Sequence, residues 1–178
     1  MDDDSLTGRH FGGSYALLDI SERIGLRGDL FRSFGPDGDR ILACATAQAL
    51  SGGPFLSVED TADGCLIREF QGIKESFASQ SMSEFTQTLG GLYGNLEDLF
   101  EHRLKRTDDA LSYDITSASS NSRIKEWAGW GHNRDNERMR QMNIGLVTDR
   151  HGVPTMFELY LGSISDVKTL ECTVERVQ

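Results

Sequence analysis

The sequence has no long apolar run, and it begins with acidic rather than basic residues. No stretch of the 178-residue chain approaches the roughly 20 apolar residues that a membrane-spanning helix needs. The N-terminus, Met1-Asp2-Asp3-Asp4, has the opposite charge to the basic start of a secretory signal peptide. The sequence therefore predicts a cytoplasmic protein with no membrane partner. Its length leaves room for one ordinary domain or two small units.

Cysteine and histidine are scarce and scattered. The three cysteines, Cys44, Cys65 and Cys172, form no CxxC pair, and an odd number argues against a disulfide framework. The four histidines are equally dispersed along the chain. The sequence therefore indicates ordinary buried or half-buried thiols, and it excludes a zinc site built from neighbouring residues.

Basic residues are few for a nucleic-acid-binding protein. The chain carries 18 Lys and Arg against 28 Asp and Glu, a net charge of −10, whereas phosphate contacts need cations. Residues 101–140 hold 8 of these 18 basic residues beside 7 acidic ones, while residues 1–100 hold 7 basic and 16 acidic residues. The basic window is compatible with a local nucleic-acid face, and equally with a solvated surface of mixed charge.

The first hundred residues show the apolar spacing that is typical of helices. A stripe over Ser14–Gly25 predicts a first helix that stops at the glycine, and the apolar face then continues to Phe34. Asp37 or Asp39 offers an N-cap for a helix that runs to Leu50 and is closed by Gly52. These patterns predict a helical N-terminal region.

The remainder of this region is also expected to be helical, apart from a loop around Asp63-Gly64. Ser81 and Glu84 have the spacing of a capping box, which predicts a helix start at Ser81. Asn95 is expected to begin a further helix that ends in the basic segment closed by Arg106.

At Asp108-Asp109 the pattern changes from helical to alternating. The segment Ala110–Ser117 predicts a strand with an apolar and a polar face. The apolar face consists of Leu111, Tyr113 and Ile115. The polar face consists of Ser112, Asp114 and Thr116. A polar stretch follows, from Ser119 to Arg138, which contains Trp127 and Trp130.

Two further strands are predicted at Gln141–Thr148 and Pro154–Leu161, joined by a hairpin in which Gly152 adopts a positive φ. Ser165 or Asp166 caps a last helix, whose apolar positions are Val167, Leu170 and Val174. The sequence therefore predicts an α+β chain, with a helical region over residues 1–107 and a strand-rich domain over residues 108–178.

Five segments of the second half resemble the opening of the catalytic domain of DDE-type insertion-sequence transposases. They follow the order and spacing of that family: Tyr113–Ser117, Gly131–Asp135, Gln141–Leu146, Gly152–Pro154 and Gly162–Leu170. Ile41–Ala43 and Ser79–Glu84 resemble the family's helical region more loosely. The resemblance implies an RNase H-like fold, of which this chain holds the first half, a three-stranded antiparallel meander plus a helix.

The resemblance also implies metal-dependent DNA cleavage and strand transfer in the parent enzyme. Asp114 matches the family's first catalytic aspartate, a ligand for Mg²⁺ or Mn²⁺, and carboxylate oxygens suit such hard cations. The family's second aspartate and its glutamate have no counterpart, because Asp166 is better explained as a helix cap. The chain thus resembles an N-terminal fragment that is inactive alone and does not hold the metal tightly.

The same residues have other interpretations, which the sequence leaves open. Asp114 is, on its strand pattern alone, an ordinary solvent-facing residue. Trp127 and Trp130 either pack the polar stretch against the sheet or contact distorted DNA together with basic side chains. The basic residues expected to bind DNA are Arg123, Lys125, Arg134, Arg138 and Arg140.

A second hypothesis for the whole chain is a non-catalytic DNA-binding or oligomerisation module. A complete metal-dependent nuclease would need two further clustered carboxylates, and the strand–helix segment shows no obvious pair. A fragment of this kind also leaves Ala110–Ser117 with an unpaired edge, so self-association as a homo-oligomer is expected. The transposon-end sequence that the parent recognises is not encoded in a readable way.

Overall fold

A computed structural model describes residues 11–52, 58–107, 110–119, 129–132 and 138–177. The chain is α+β, as predicted, and divides into two compact units, Met1–Leu99 and Phe100–Gln178. The division lies inside the seventh helix, whereas the sequence pattern placed a boundary near Thr107. Within the described ranges, no helix has the length and apolar character needed to cross a membrane.

The first unit is built from helices that carry one apolar face each. Their bounds are α1 Gly12–Arg23, α2 Leu26–Phe34, α3 Asp37–Ser51, α4 Val58–Gly64, α5 Ile67–Gln71 and α6 Ser79–Gly90, followed by α7 Tyr93–Lys105, which spans the division. Gly25 and Gly52 adopt left-handed φ values of 70° and 58°, which other residues rarely adopt. Gly52 directly follows α3, and Gly25 is the second residue after α1 and the N-cap of α2. The predicted stops at both glycines are confirmed.

Four local predictions in this unit were wrong. Pro36, not Asp37 or Asp39, occupies the N-cap position of α3, where its fixed φ of −59° suits a helix start. Helix α6 begins after Ala78, so Ser81 lies inside its first turn and the capping box does not form. The other corrections concern the segment around Asp63-Gly64, which belongs to α4, and the start of α7, which is Tyr93 rather than Asn95.

The core of the first unit lies between α3 and the helices that follow it. Its buried members include Ala43, Ala47, Val58, Ile67 and Phe85. The unit gains further stability at the contact between α2 and α3, because Gly38 lets the two backbones approach closely. A Cβ at this position would lie 2.7 Å from the carbonyl carbon of Leu30.

The second unit contains one antiparallel sheet and a final helix. The strands are β1 Ser112–Ser119, β2 Gly129–His132, β3 Arg138–Thr148 and β4 Pro154–Leu161, and the helix is α8 Asp166–Val177. Strand β3 is central, with β1 on one side and both β2 and β4 on the other. The three predicted strands and the helix are present, while β2 was not predicted. Its four residues, two of them glycines, are too few to produce an alternating pattern.

The hairpin between β3 and β4 forms as predicted, with Gly152 at a φ of 77°. Asp149 stabilises it, because its Oδ1 accepts the backbone N–H groups of His151 and Val153, both at 2.8 Å. These two hydrogen bonds lower the pKa of the Asp149 carboxyl. The hydrogen bond from the Val153 amide has the larger effect.

The predicted helix α8 does not turn its apolar positions to the sheet. Val167, Leu170 and Val174 are 70%, 43% and 45% exposed. Thr169 and Thr173 are buried against the sheet instead. A helical stripe identifies residues that share a face, but it does not decide whether that face meets the sheet.

Candidate functional site

Asp114, the predicted catalytic residue, is the third residue of β1 and lies on an exposed position of the strand. Its backbone is aligned with Leu146 on β3. Its Oδ1 accepts the backbone N–H of Ile115 at 2.9 Å. The carboxylate is therefore accessible to solvent and has one local hydrogen-bond donor.

The predicted alternation of β1 is confirmed around this residue. Ser112 and Thr116 are exposed like Asp114, whereas Tyr113 and Ile115 are half-buried. Residues that lie opposite each other in a sheet share a face, so Leu146 and Ile144 of β3 line the floor beside the carboxylate. The surroundings of Asp114 are thus hydroxyl groups and aliphatic side chains.

The side chains around Asp114 do not supply enough metal ligands for a two-metal centre. No group of three or more His, Cys, Asp or Glu side chains lies together in the described part of the chain. Asp149 is engaged in the hairpin, Asp135 lies outside the described residues, and so does the side chain of Asp166. A pair of divalent cations needs several carboxylate oxygens, which Asp114 by itself does not supply.

The predicted DNA-binding residues fall partly outside the described ranges, which exclude Arg123, Lys125 and Arg134. Arg138 and Arg140 lie at the start of β3, aligned with His132 and Trp130 of β2. The Arg140 side chain is half-buried, while the side chains of Arg138 and Trp130 are not described. Both residues therefore lie on the β2–β3 ladder, two positions apart along β3.

On the opposite face of the sheet, a polar cluster joins β1 and β4 to α8. We call this the tyrosine cluster, and its central members are Tyr113, Tyr160, Thr169 and Thr173. Tyr113 donates its hydroxyl proton to Thr169 Oγ1 at 2.9 Å. The Tyr160 hydroxyl lies 2.9 Å from Thr173 Oγ1 and donates to the Glu158 carboxylate, which also accepts a hydrogen bond from Arg176.

Burial, and the hydrogen bond to Glu158, raise the pKa of Tyr160 well above its usual range. Its phenol therefore stays protonated at neutral pH and serves as a hydrogen-bond donor. This cluster was not predicted from the sequence. The available signals were the alternation of Glu158 and Tyr160 on β4 and the i, i+4 spacing of Thr169 and Thr173 on α8.

Residues of one segment that carries the resemblance have structural roles beside the tyrosine cluster. Gln141 accepts the backbone N–H of Gly162 through its carbonyl oxygen at 3.1 Å. Asn143 donates its side-chain amide to the carbonyl of Ile164 at 3.3 Å. Both contacts hold the β4–α8 connection against β3.

Gly145 lies beneath the two tyrosines of the cluster. A Cβ built on it would approach the Tyr113 hydroxyl to 3.0 Å and a ring carbon of Tyr160 to 3.1 Å. A glycine at this position lets both rings lie across β3 and reach α8. Gln141, Asn143 and Gly145, which belong to one of the segments that carry the resemblance, therefore have structural roles.

Comparisons with protein-family models, with curated proteins and with solved structures found no match to this chain.

Proposed function

We propose that this chain is part of a DDE-type insertion-sequence transposase and acts on transposon-end DNA in the cytoplasm. In this proposal the second unit is the opening of an RNase H-like catalytic domain. Asp114 is its first catalytic carboxylate, and Arg123, Lys125, Arg134, Arg138 and Arg140 are the residues that contact DNA phosphates.

The arrangement of the strands supports this proposal. The RNase H-like opening requires three consecutive antiparallel strands, with the second between the first and third, and then a helix packed on the sheet. Strands β1, β3 and β4 have this arrangement, and α8 follows them. The short β2 is an addition, paired with β3 beyond the end of β4.

The observation that carries the proposal is the position of Asp114. It lies within the first strand, its carboxylate is exposed, and its neighbours on that face are the small hydroxyl residues Ser112 and Thr116. Small polar neighbours leave space for hydrated cations and a phosphate group. Because Asp114 belongs to no cluster of metal ligands in the described part of the chain, we expect that this chain alone does not cleave or join DNA.

The decisive experiment begins with the coding DNA directly downstream of Gln178, read in all frames. The proposal requires a strand that carries an aspartate and, farther on, a helix that carries a glutamate. The protein extended by this segment should cleave its own element ends with Mg²⁺. Asp114→Asn should lower the rate about a thousandfold or more, as expected for the loss of a catalytic group.

Asp98→Asn is the matched control, since Asp98 is an exposed carboxylate on α7 in the other unit. Its rate should equal that of the unaltered protein. An extended protein that cleaves DNA equally well with Asp114→Asn would refute the role of Asp114. Downstream DNA that encodes neither acid would remove the basis for transposase chemistry.

A non-catalytic DNA-binding or oligomerisation module is the second candidate. It is favoured by the scarcity of metal ligands, because Asp114 belongs to no group of three or more His, Cys, Asp or Glu side chains among the described residues. Such a module should bind duplex DNA with an affinity that falls steeply as salt is added, and it should not nick DNA with Mg²⁺ or Mn²⁺. Nicking by the chain that disappears with Asp114→Asn would exclude it.

A further inference from the structure

Helix α5 in the first unit is bounded on both sides by left-handed backbone. It spans only Ile67–Gln71, with Leu66 before it at a φ of 55° and Gly72 after it at a φ of 67°. Glycine adopts such angles without a steric cost, whereas the Cβ of a leucine then lies too close to the neighbouring carbonyl oxygen. Within the described ranges, Leu66 is the one non-glycine residue with a positive φ. The start of α5 therefore carries backbone strain.

The polar side chains of α5 are poorly satisfied. Gln71 is 7% exposed, and neither the nitrogen nor the oxygen of its carboxamide has a hydrogen-bond partner in the part of the chain that the structure describes. The Nε of Arg68 is also buried without a partner, and its contacts with Asp63 Oδ1 and the Lys74 carbonyl are long, at 3.4 and 3.5 Å. A buried amide without a partner costs free energy, because its hydrogen bonds to water are lost and not replaced.

One apolar side chain opposes these unfavourable features. Ile67 is fully buried and belongs to the core that also contains Ala43 and Ala47 of α3. Burial of one isoleucine stabilises a protein by an amount of the same order as the cost of an unsatisfied carboxamide or of a strained backbone residue. A helix of five residues has little stability of its own. The conformation of α5 therefore depends on a near balance of opposing contributions.

We propose that α5 is a local conformational switch with a closed and an open state. The closed state is the one described above. In the open state residues 66–72 unwind while α3 and α6 stay folded, so Leu66 leaves its positive φ and the Gln71 carboxamide reaches water. Strained segments that persist only because their surroundings hold them are typical of switch regions. The proposal does not rest on the transposase function, because α5 belongs to the first unit and Asp114 to the second.

Native-state amide hydrogen exchange of the full chain tests for this opening. The amides of Gly72 and Ile73 both donate to the Arg68 carbonyl, so they report whether the end of α5 is formed. After correction for intrinsic rates, both should exchange at least about tenfold faster than the amide of Ala47 in the buried α3, since they open locally. Their rates should depend only weakly on urea, because local opening exposes little surface. Rates equal to that of Ala47, with the same urea dependence, overturn the proposal.

Two substitutions should shift the switch in opposite directions. Gln71→Met keeps an unbranched side chain and removes both unsatisfied polar atoms, so exchange at Gly72 and Ile73 should slow about tenfold. Ile67→Val removes one buried methylene group, so exchange at the same amides should accelerate about three- to tenfold. Gln87→Met makes the same chemical change at an exposed position of α6, and it should leave both rates unchanged.

The response to Gln71→Met separates the proposal from an ordinary buried side chain. A carboxamide that is satisfied in the folded protein, for example by an internal water molecule, would give unchanged or faster exchange in this variant, and the proposal would be wrong. If Gln71→Met does not fold, Ile67→Val decides, because exchange that fails to accelerate there contradicts the opposing role of Ile67. Either failure leaves the role of Asp114 to the separate cleavage assay.

Discussion

Tyr113 on β1 and Thr169 on α8 are joined by a hydrogen bond of 2.9 Å that spans the interface between the sheet and its helix. Thr169 is buried, and its carbonyl also accepts a hydrogen bond from Thr173 Oγ1 at 3.0 Å. The attachment of α8 thus depends on matched polar groups rather than on its apolar residues. Matched groups of this kind are sensitive to the loss of one partner, because the other is left buried without it.

Tyr113→Phe and Thr169→Val should each destabilise the protein by about 1–2 kcal/mol, because each removes one partner of a buried hydrogen bond. The double variant should lose less than the sum of the two, since the second substitution removes a group that has already lost its partner. Urea unfolding of the three variants measures this. Ser83→Ala, at an exposed position on α6, is the control, and strict additivity of the pair would contradict the coupling.

The contact between α2 and α3 predicts opposite effects for two glycines. Gly38→Ala should destabilise the protein by about 1–3 kcal/mol, because the new methyl group would meet the Leu30 backbone at 2.7 Å. Gly28→Ala lies in the same region, within α2, and its Cβ would have no heavy atom within 4 Å. It should stabilise the helix by about 0.5–1 kcal/mol. Equal effects in thermal unfolding would show that α2 and α3 do not approach as described.

Asp149 predicts a dependence of stability on pH. Its pKa is lowered in the folded protein from a usual value of 3.8, chiefly by the Val153 amide. The stabilisation by the charged carboxylate is therefore fully present above about pH 4, and it is lost as the pH falls through the lowered pKa. Asp149→Ala should lower Tm at neutral pH, and its difference from the unaltered protein should shrink in acid. A difference that is constant with pH would argue against the charged hydrogen bonds.

The cysteines should differ in reactivity. Burial raises the pKa of the Cys44 thiol to about 11, partly offset by Arg40, whereas Cys172 is exposed. At about pH 8 the thiolate fraction of Cys44 is roughly one in a thousand, so N-ethylmaleimide should modify Cys172 first. Cys44 should react only when the protein unfolds in urea. Peptide mass spectrometry during the reaction assigns the order, and early labelling of Cys44 would show that α3 is not buried.

The sequence pattern was most informative where it reflects local geometry. The alternation of Ala110–Ser117 predicted β1 and the exposure of Asp114, because successive side chains of a strand must point to opposite faces. Local geometry also explains the glycines. Gly25 and Gly52 were predicted as helix stops and Gly152 as a turn residue, and all three have positive φ values. Glycine alone adopts these conformations without a steric cost.

The pattern was less informative where several local solutions compete. Pro36 and Asp37 both suit a helix start, and the preceding chain determines which one is used. Arg40 is another case, since no local pattern shows that its guanidinium lies 4.2 Å from the Phe85 ring centroid and donates to Ser81 Oγ at 2.8 Å. These contacts join residues that are far apart in sequence.

The sequence by itself determined the α+β class, the three main strands, the tight hairpin and the place of Asp114 on a polar strand face. Each follows from the conformational limits of a few neighbouring residues. Only the tertiary structure decided that α8 turns its threonines to the sheet and its Val167, Leu170 and Val174 to solvent. The reason is physical: two rings that cross Gly145 present hydroxyl groups to α8, and buried hydroxyls need polar partners more than aliphatic groups need burial.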